Sequence, residues 1–209
     1  MLIVGLTGSI GMGKTTAANH LRDRRFPVFD SDAAVHSLYA REAVAPIENA
    51  FPGVTLGGIV DREKLSAALQ LHTNGLRKLE AIVHPLVRQA QYRFLKELSL
   101  LDAESAVLDI PLLFETAAET LVDVIIVMSG PSHIQEARVL ARPGMTREKF
   151  EALSARQTPD AKKRELADFV VNTGGEINET RARLDEIMAD LKGRFGSAFA
   201  RWRLIIGND

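Results

Sequence analysis

Residues 8 to 15, Gly8-Ser9-Ile10-Gly11-Met12-Gly13-Lys14-Thr15, constrain this chain more than any other stretch. They follow Met1-Leu2-Ile3-Val4-Gly5-Leu6, a short apolar run that reads as a buried strand, and lead into Thr16-Ala17-Ala18-Asn19-His20-Leu21, which reads as a helix. The spacing G-x-x-x-x-G-K-[ST] between a strand and a helix is that of a phosphate loop. The glycines, Gly8, Gly11 and Gly13, let successive backbone N–H groups turn inward on an anion, and a helix starting at Lys14 adds the positive end of its dipole. The expected guest is a nucleoside triphosphate. Amides from Gly11 through Met12 and Gly13 to Thr16 would cradle the β-phosphate, Lys14 would span the β and γ oxygens, and the Thr15 hydroxyl would ligate Mg²⁺.

The remaining strand-like runs are Pro27-Val28-Phe29, Ala106 to Ile110, Asp123 to Met128, and Asp168 to Val171, each separated from the next by helical sequence. Strands alternating with helices predict an α/β fold with a parallel sheet covered on both faces. In such sheets ligands bind beyond the carboxyl ends of the strands, so chemistry is expected just after each run. With 209 residues and 46% hydrophobic content the chain is long enough for one compact unit with its own core. A formal net charge of −1 excludes a strongly basic nucleic-acid binder. The chain has no cysteine, so disulfides, thiolate metal sites and cysteine nucleophiles are excluded, and the cytoplasm is the expected compartment. The six-residue apolar start lacks a basic leader region and is too short for a membrane span.

Between Ala33 and Leu101 no run reads as a strand, and helical periodicity dominates. Val87, Ala90, Phe94, Leu98 and Leu101 recur at spacings of three and four, and Pro85 is expected in the first turn of their helix. Pro52-Gly53 and Gly57-Gly58 read as turns. Residues 33–101 are therefore expected to form a helical insertion holding the second substrate, interrupting a core of residues 1–32, 102–132 and 166–192. A densely charged segment over 133–165 reads as a basic lid; within it Arg138 and Arg142, four apart, are expected on one helix face. The tail over 193–209 carries the only tryptophan, Trp202, and suggests no function.

Phosphoryl transfer also needs an acceptor held in line and charge offset on the migrating group. Phe29-Asp30-Ser31-Asp32 ends the second predicted strand with two carboxylates. Alternation points both the same way while the chain stays extended, one toward a metal and one toward a hydroxyl proton; Asp30 could instead cap a helix beginning at Ala33. The third run ends Val107-Leu108-Asp109-Ile110-Pro111-Leu112-Leu113-Phe114-Glu115, where Asp109 is either a Walker B acid reaching a metal through water or a strand-end cap. His84-Pro85 alone reads as structural. No N-K-x-D, D-x-x-G or L-S-G-G-Q stands where a GTPase switch or a transporter ATPase needs it.

Taken together, Gly5 to Thr15, Phe29 to Asp32, His84-Pro85-Leu86-Val87, Pro111 to Glu115, Gln135-Glu136-Ala137-Arg138, Ala155-Arg156-Gln157 and Ala167 to Gly174 resemble the dephospho-CoA kinase family over roughly residues 1–192. The resemblance implies a nucleotide-kinase-like fold with a five-stranded parallel sheet, a helical CoA-side domain and a lid. It implies transfer of the γ-phosphate of ATP, with Mg²⁺, to the 3′-hydroxyl of dephospho-CoA. By position Asp32 resembles the general base, Lys14 the phosphate lysine, and Arg138 and Arg142 the lid arginines. Asn172 to Gly174 match the segment beside adenine, and Arg77, His84, Leu112, Leu113 and Glu115 match elements around the acceptor. The chain departs from the family at Ser9, where glycine is common, and at Met12 and Thr15, where serine is common. Thr15 keeps its hydroxyl; Ser9 requires a backbone angle open to a residue with a Cβ. Gln70 to Gly75 is also less apolar than the family's pattern before the histidine.

Overall fold

A computed structural model describes residues 1–207; Asn208 and Asp209, the end of the tail, lie outside the described residues. In chain order the elements are β1 (Leu2–Thr7), α1 (Lys14–Asp23), β2 (Val28–Asp30), α2 (Ser31–Leu38), α3 (Val44–Ala50), β3 (Thr55–Leu56), β4 (Ile59–Val60), α4 (Arg62–Leu71) and α5 (Gly75–Leu100). They continue with β5 (Ser105–Asp109), a 3-10 turn at Ala118–Leu121, β6 (Val124–Ser129), α6 (Ser132–Leu140), α7 (Arg147–Ser154), α8 (Asp160–Leu166), β7 (Phe169–Asn172), α9 (Ile177–Leu191) and α10 (Ala198–Ile206). The chain divides into two compact units, one of Met1–Phe29 with the chain from Leu95 onward, the other Asp30–Phe94.

The first unit is built on a parallel sheet of order β2-β5-β1-β6-β7. All five strands fall on the apolar runs of the sequence. Every residue of β1 and β6 is buried, as a central strand covered on both faces requires. The register pairs Leu6 with Asp109 on one side and with Ile126 on the other. Because β1 has β5 on one flank and β6 on the other, the chain that leaves β1 emerges at the point where strand order reverses, the usual ligand crevice of such sheets. Behind it Leu21 of α1, Leu184 and Ile187 of α9 and Val4, Leu6, Val107, Ile126 and Val171 of the strands form one core.

The tail belongs to this unit. The Trp202 side chain is fully buried and its indole N–H donates to Leu121 O at 2.8 Å. The Asp123 carboxylate accepts from Ser197 N and Ala198 N, each at 2.7 Å, and from Ile3 N at 2.9 Å, tying α10 to the start of β1. Gly196 lies so close to Asp123 that no Cβ fits there.

The second unit has its own core, with Leu38, Ile47, Phe51, Val60, Leu65, Leu79 and Val83 at its centre. Two sequence expectations change here. The stretch expected to lack strands contains the antiparallel pair β3–β4, made possible because Gly57 and Gly58 both take positive φ, 59° and 80°, as a tight hairpin turn demands. Pro85 is not in a first turn, since α5 starts at Gly75 and carries the proline inside it. An interior proline deprives the carbonyl four residues earlier of its donor. Here that carbonyl belongs to Ala81, and because Pro85 and Ala81 are both exposed, water can take the donor's place. The buried side of α5 also differs from the expected stripe: Leu79, Val83, Gln91 and Leu95 are buried, whereas Val87, Ala90, Phe94 and Leu98 are half-buried.

Candidate active site

The loop that joins β1 to α1 has the form its glycines dictate. Gly11 and Gly13 sit at φ 79° and 78°, the left-handed region that a residue with a Cβ avoids. Gly8 is needed for proximity instead: a Cβ there would lie 2.6 Å from Met128 O. Ser9 is absent from the positive-φ residues, so its Cβ costs no backbone strain, and its carbonyl accepts Met12 N–H at 3.0 Å to close the turn. Met12 is buried, while Thr15 and Thr16 on the first turn of α1 are exposed. No side chain caps this helix start, so its first N–H groups are left for an anion.

Lys14, the first residue of α1, forms an ion pair with Asp109 at 2.5 Å. Both side chains are nearly buried, and Asp109 stands at the carboxyl end of β5 beside β1. Removed from water, the ammonium and carboxylate hold one another at the mouth of the loop. Asp109, which the sequence offered either as a metal-reaching acid or as a strand-end cap, is thus held against Lys14.

Two segments from later in the chain enclose the loop. On α6, Arg138 donates to Thr173 O at 2.7 Å and to Thr173 Oγ1 at 3.3 Å, and Thr173 in turn backs Gly13, whose Cβ would lie 3.5 Å from its methyl. Asn172 Oδ1 accepts Gly174 N–H at 2.9 Å, bending the chain after β7, and Gly174 approaches Pro131 too closely for any side chain. Arg138 therefore reaches the segment expected beside adenine. Arg142 does not share a helix face with it: α6 ends at Leu140, and Arg142 lies in the following turn, exposed, with its N–H donating to Val139 O. The turn into Pro143-Gly144 ends the helix before the second arginine is reached.

Of the stretch after β5, Leu112 is exposed at 37%, but Leu113 is a core residue, fully buried and so close to Gly5 that a Cβ there would lie 2.7 Å from it. The expectation that Leu113 contacts an acceptor gives way to a packing role. Glu115 is engaged within the unit: it accepts Thr158 N–H at 2.7 Å and pairs with Lys163, a fully buried lysine, at 3.0 Å. Nearby, Ser129 Oγ donates to Asp160 at 2.7 Å. In the sequence Lys163 is only one charge among many in the segment over 133–165.

The second unit carries the other candidate residues. Asp30 is the N-cap of α2, accepting Ala33 N–H at 2.9 Å, so the capping alternative is the one the structure adopts. The chain turns helical at Ser31, and the extended alternation expected to align Asp30 with Asp32 does not extend that far. Asp32 instead stands exposed on the first turn of α2, where its charge favours the positive helix end. Buried Gln91 of α5 donates to Ser31 Oγ at 3.3 Å and so fixes this turn from below. Sequence reading missed Gln91, a polar residue on an otherwise apolar stripe. Arg77 is exposed near the start of α5 and His84 is half-buried in its middle.

Over residues 2–179 the sequence matches the dephospho-CoA kinase family. It is 52% identical over 191 residues to a dephospho-CoA kinase of Agrobacterium fabrum, covering 91% of this chain and 98% of that one. To one of Brucella melitensis it is 50% identical over 198 residues, covering 95% and 99%. Among solved structures, a protein of Thermus thermophilus matches with a TM-score of 0.77 at 34% identity over 92% of this chain and 98% of that one. A dephospho-CoA kinase from Campylobacter jejuni, at 22% identity and a TM-score of 0.66 over 90% and 96% of the two chains, shows the same fold.

Proposed function

Since the chain belongs to the dephospho-CoA kinase family, we propose that it transfers the γ-phosphate of ATP to the 3′-hydroxyl of dephospho-CoA, with Asp32 as the base that orients and deprotonates that hydroxyl. The observation that carries the donor side is the uncapped start of α1 beneath Gly11 and Gly13, with Lys14 at its first position. Backbone amides there hold the β-phosphate, and the Lys14 ammonium exchanges its partner at Asp109 for the β and γ oxygens. Arg138 and Arg142 offset charge on the moving phosphoryl group, Arg138 doing so from a position already fixed by Thr173. Asn172 and Gly174 border the adenine; Arg77, His84 and Leu112 serve the acceptor.

Mg²⁺ suits the donor atoms present. The Thr15 hydroxyl and the Asp109 carboxylate are hard oxygen ligands, and among the described residues no cluster of three His, Cys, Asp or Glu competes as a dedicated metal cage. Thr15 would bind the ion directly and Asp109 through water, and the ion when bound neutralises phosphate charge. No helix of the described residues is long and apolar enough to cross a membrane, and a cytoplasmic location is part of the same proposal.

ADP release, measured with and without dephospho-CoA and against a panel of nucleoside monophosphates, tests the reading. Release that depends on dephospho-CoA is expected. Release driven equally well by a nucleoside monophosphate would assign a different acceptor, and acceptor-independent ADP formation would remove transfer altogether.

A further inference from the structure

We propose that Gln135 and Gln157 are positioning residues for the transfer: together they set the peptide planes on either side of Ile10, and so decide which amides of the phosphate loop face the nucleotide. The inference deepens the reading of this loop as a triphosphate cradle and rests on it. Gln135 Nε2 donates to Ile10 O at 2.8 Å, and Gln157 Oε1 accepts Ile10 N–H at 3.0 Å. One glutamine lies on α6 and the other between α7 and α8, so residues remote in sequence converge on a single position of the loop.

A trans peptide is planar, with its C=O and N–H pointing in opposite directions. In the Ser9–Ile10 plane the N–H is directed to Gln157, so the carbonyl faces the other way, where it accepts Met12 N–H at 3.0 Å. In the Ile10–Gly11 plane the carbonyl is directed to Gln135, which turns Gly11 N–H away from α6. Consecutive planes are thus pinned in opposite senses. An anion-binding concavity requires its N–H groups to converge, and a plane that rolls over presents a carbonyl dipole to the phosphates instead. Gly11 has the freedom to roll that its lack of a Cβ confers, at φ 79°. The contact that opposes this is close: a Cβ on Gly11 would lie 2.5 Å from Val139 Cγ2 and 3.0 Å from Gln135 O, so the α6 backbone abuts the loop.

The two amides have opposite roles, Gln135 as donor and Gln157 as acceptor. Gln135→Met and Gln157→Met keep length and remove the bonds; Gln135→Glu keeps shape and sets an oxygen against the Ile10 carbonyl. The test is calorimetric binding of ADP and of AMP to the full chain, with dephospho-CoA present to fill the acceptor side, together with thermal melts and steady-state constants. Each Met variant is expected to weaken ADP about 3- to 10-fold, the loss of one hydrogen bond's worth of orientation. AMP binding and the KM for dephospho-CoA should stay within about twofold, since neither depends on β-phosphate contacts. Gln135→Glu is expected to lose at least as much ADP affinity as Gln135→Met. A structural role alone would lower the melting point and weaken AMP and ADP alike. An ADP-to-AMP preference unchanged from wild type in both Met variants would overturn the proposal. Wild-type protein that itself failed to prefer ADP over AMP would overturn the triphosphate reading beneath it, a separate and distinguishable result.

Discussion

Replacing Trp202 with alanine should destabilise the protein by several kcal/mol while leaving its catalysis at 25 °C intact. The side chain is fully buried, and its indole N–H satisfies the Leu121 carbonyl. Truncating a buried tryptophan costs about 3–5 kcal/mol, and an orphaned buried carbonyl adds about 1 kcal/mol. Unfolding entropy of about 2.1 cal/mol/K per residue gives this chain of 209 residues a slope of about 0.4 kcal/mol/K. The melting point should therefore fall by about 10 °C or more. Circular dichroism melts of the full chain and the variant measure this, and because Trp202 is the only tryptophan, a blue-shifted emission from the wild type is the independent sign expected of a buried α10. Trp202 contacts the turn that precedes β6, whereas the phosphate loop follows the carboxyl end of β1, so kcat and KM should stay near wild type. A drop of less than about 3 °C, about 1.2 kcal/mol on the same slope, would show that the tail is an accessory and that burial of Trp202 does not stabilise the fold.

Lys163→Met should cost about 3–5 kcal/mol, because it strands the Glu115 carboxylate, and adding Glu115→Gln should recover part of that loss in denaturant titrations. The Arg24 hydrogen bond, and secondarily His20, holds the Asp185 carboxyl below its ordinary value of 3.8. A depressed carboxyl adds stability that is complete above its unfolded pKa and is lost as pH falls through the folded one. The gap in stability between wild type and Asp185→Asn should accordingly be present at neutral pH and close below about pH 4, and a gap unchanged at pH 3 would contradict the pairing. Arg138→Ala and Arg142→Ala should each lower kcat, and Arg138→Ala should also weaken ATP because it releases Thr173 behind Gly13; undiminished kcat in both would remove the arginines from the transition state.

What the sequence made legible is local. Five short apolar runs and the glycine spacing of the loop were sufficient for the sheet and for the backbone form of the loop after β1, since each depends on neighbours in the chain. The errors arise where one residue's structure is set by remote ones. Asp30 and Asp32 looked paired because alternation was extended one residue past the point at which the Asp30 cap starts a helix. Pro85 looked like a helix start because nothing nearby shows that the helix began ten residues earlier. Arg142 looked like a partner of Arg138 by spacing, and the turn before Pro143 separates them. Gln135, Gln157 and Lys163 left no periodic trace, since their partners lie elsewhere in the sequence. The tail was not read as a helix, although Ala198 and Trp202, four apart and both buried, form the inward stripe of α10.

The central claim, that Asp32 prepares the acceptor hydroxyl for a phosphate held on the loop, is tested most directly by single-turnover transfer to dephospho-CoA with Asp32→Asn, alongside ATP affinity. The rate should fall about 10²-fold or more while ATP binds as in wild type. A variant that binds ATP normally and transfers at the wild-type rate would contradict it.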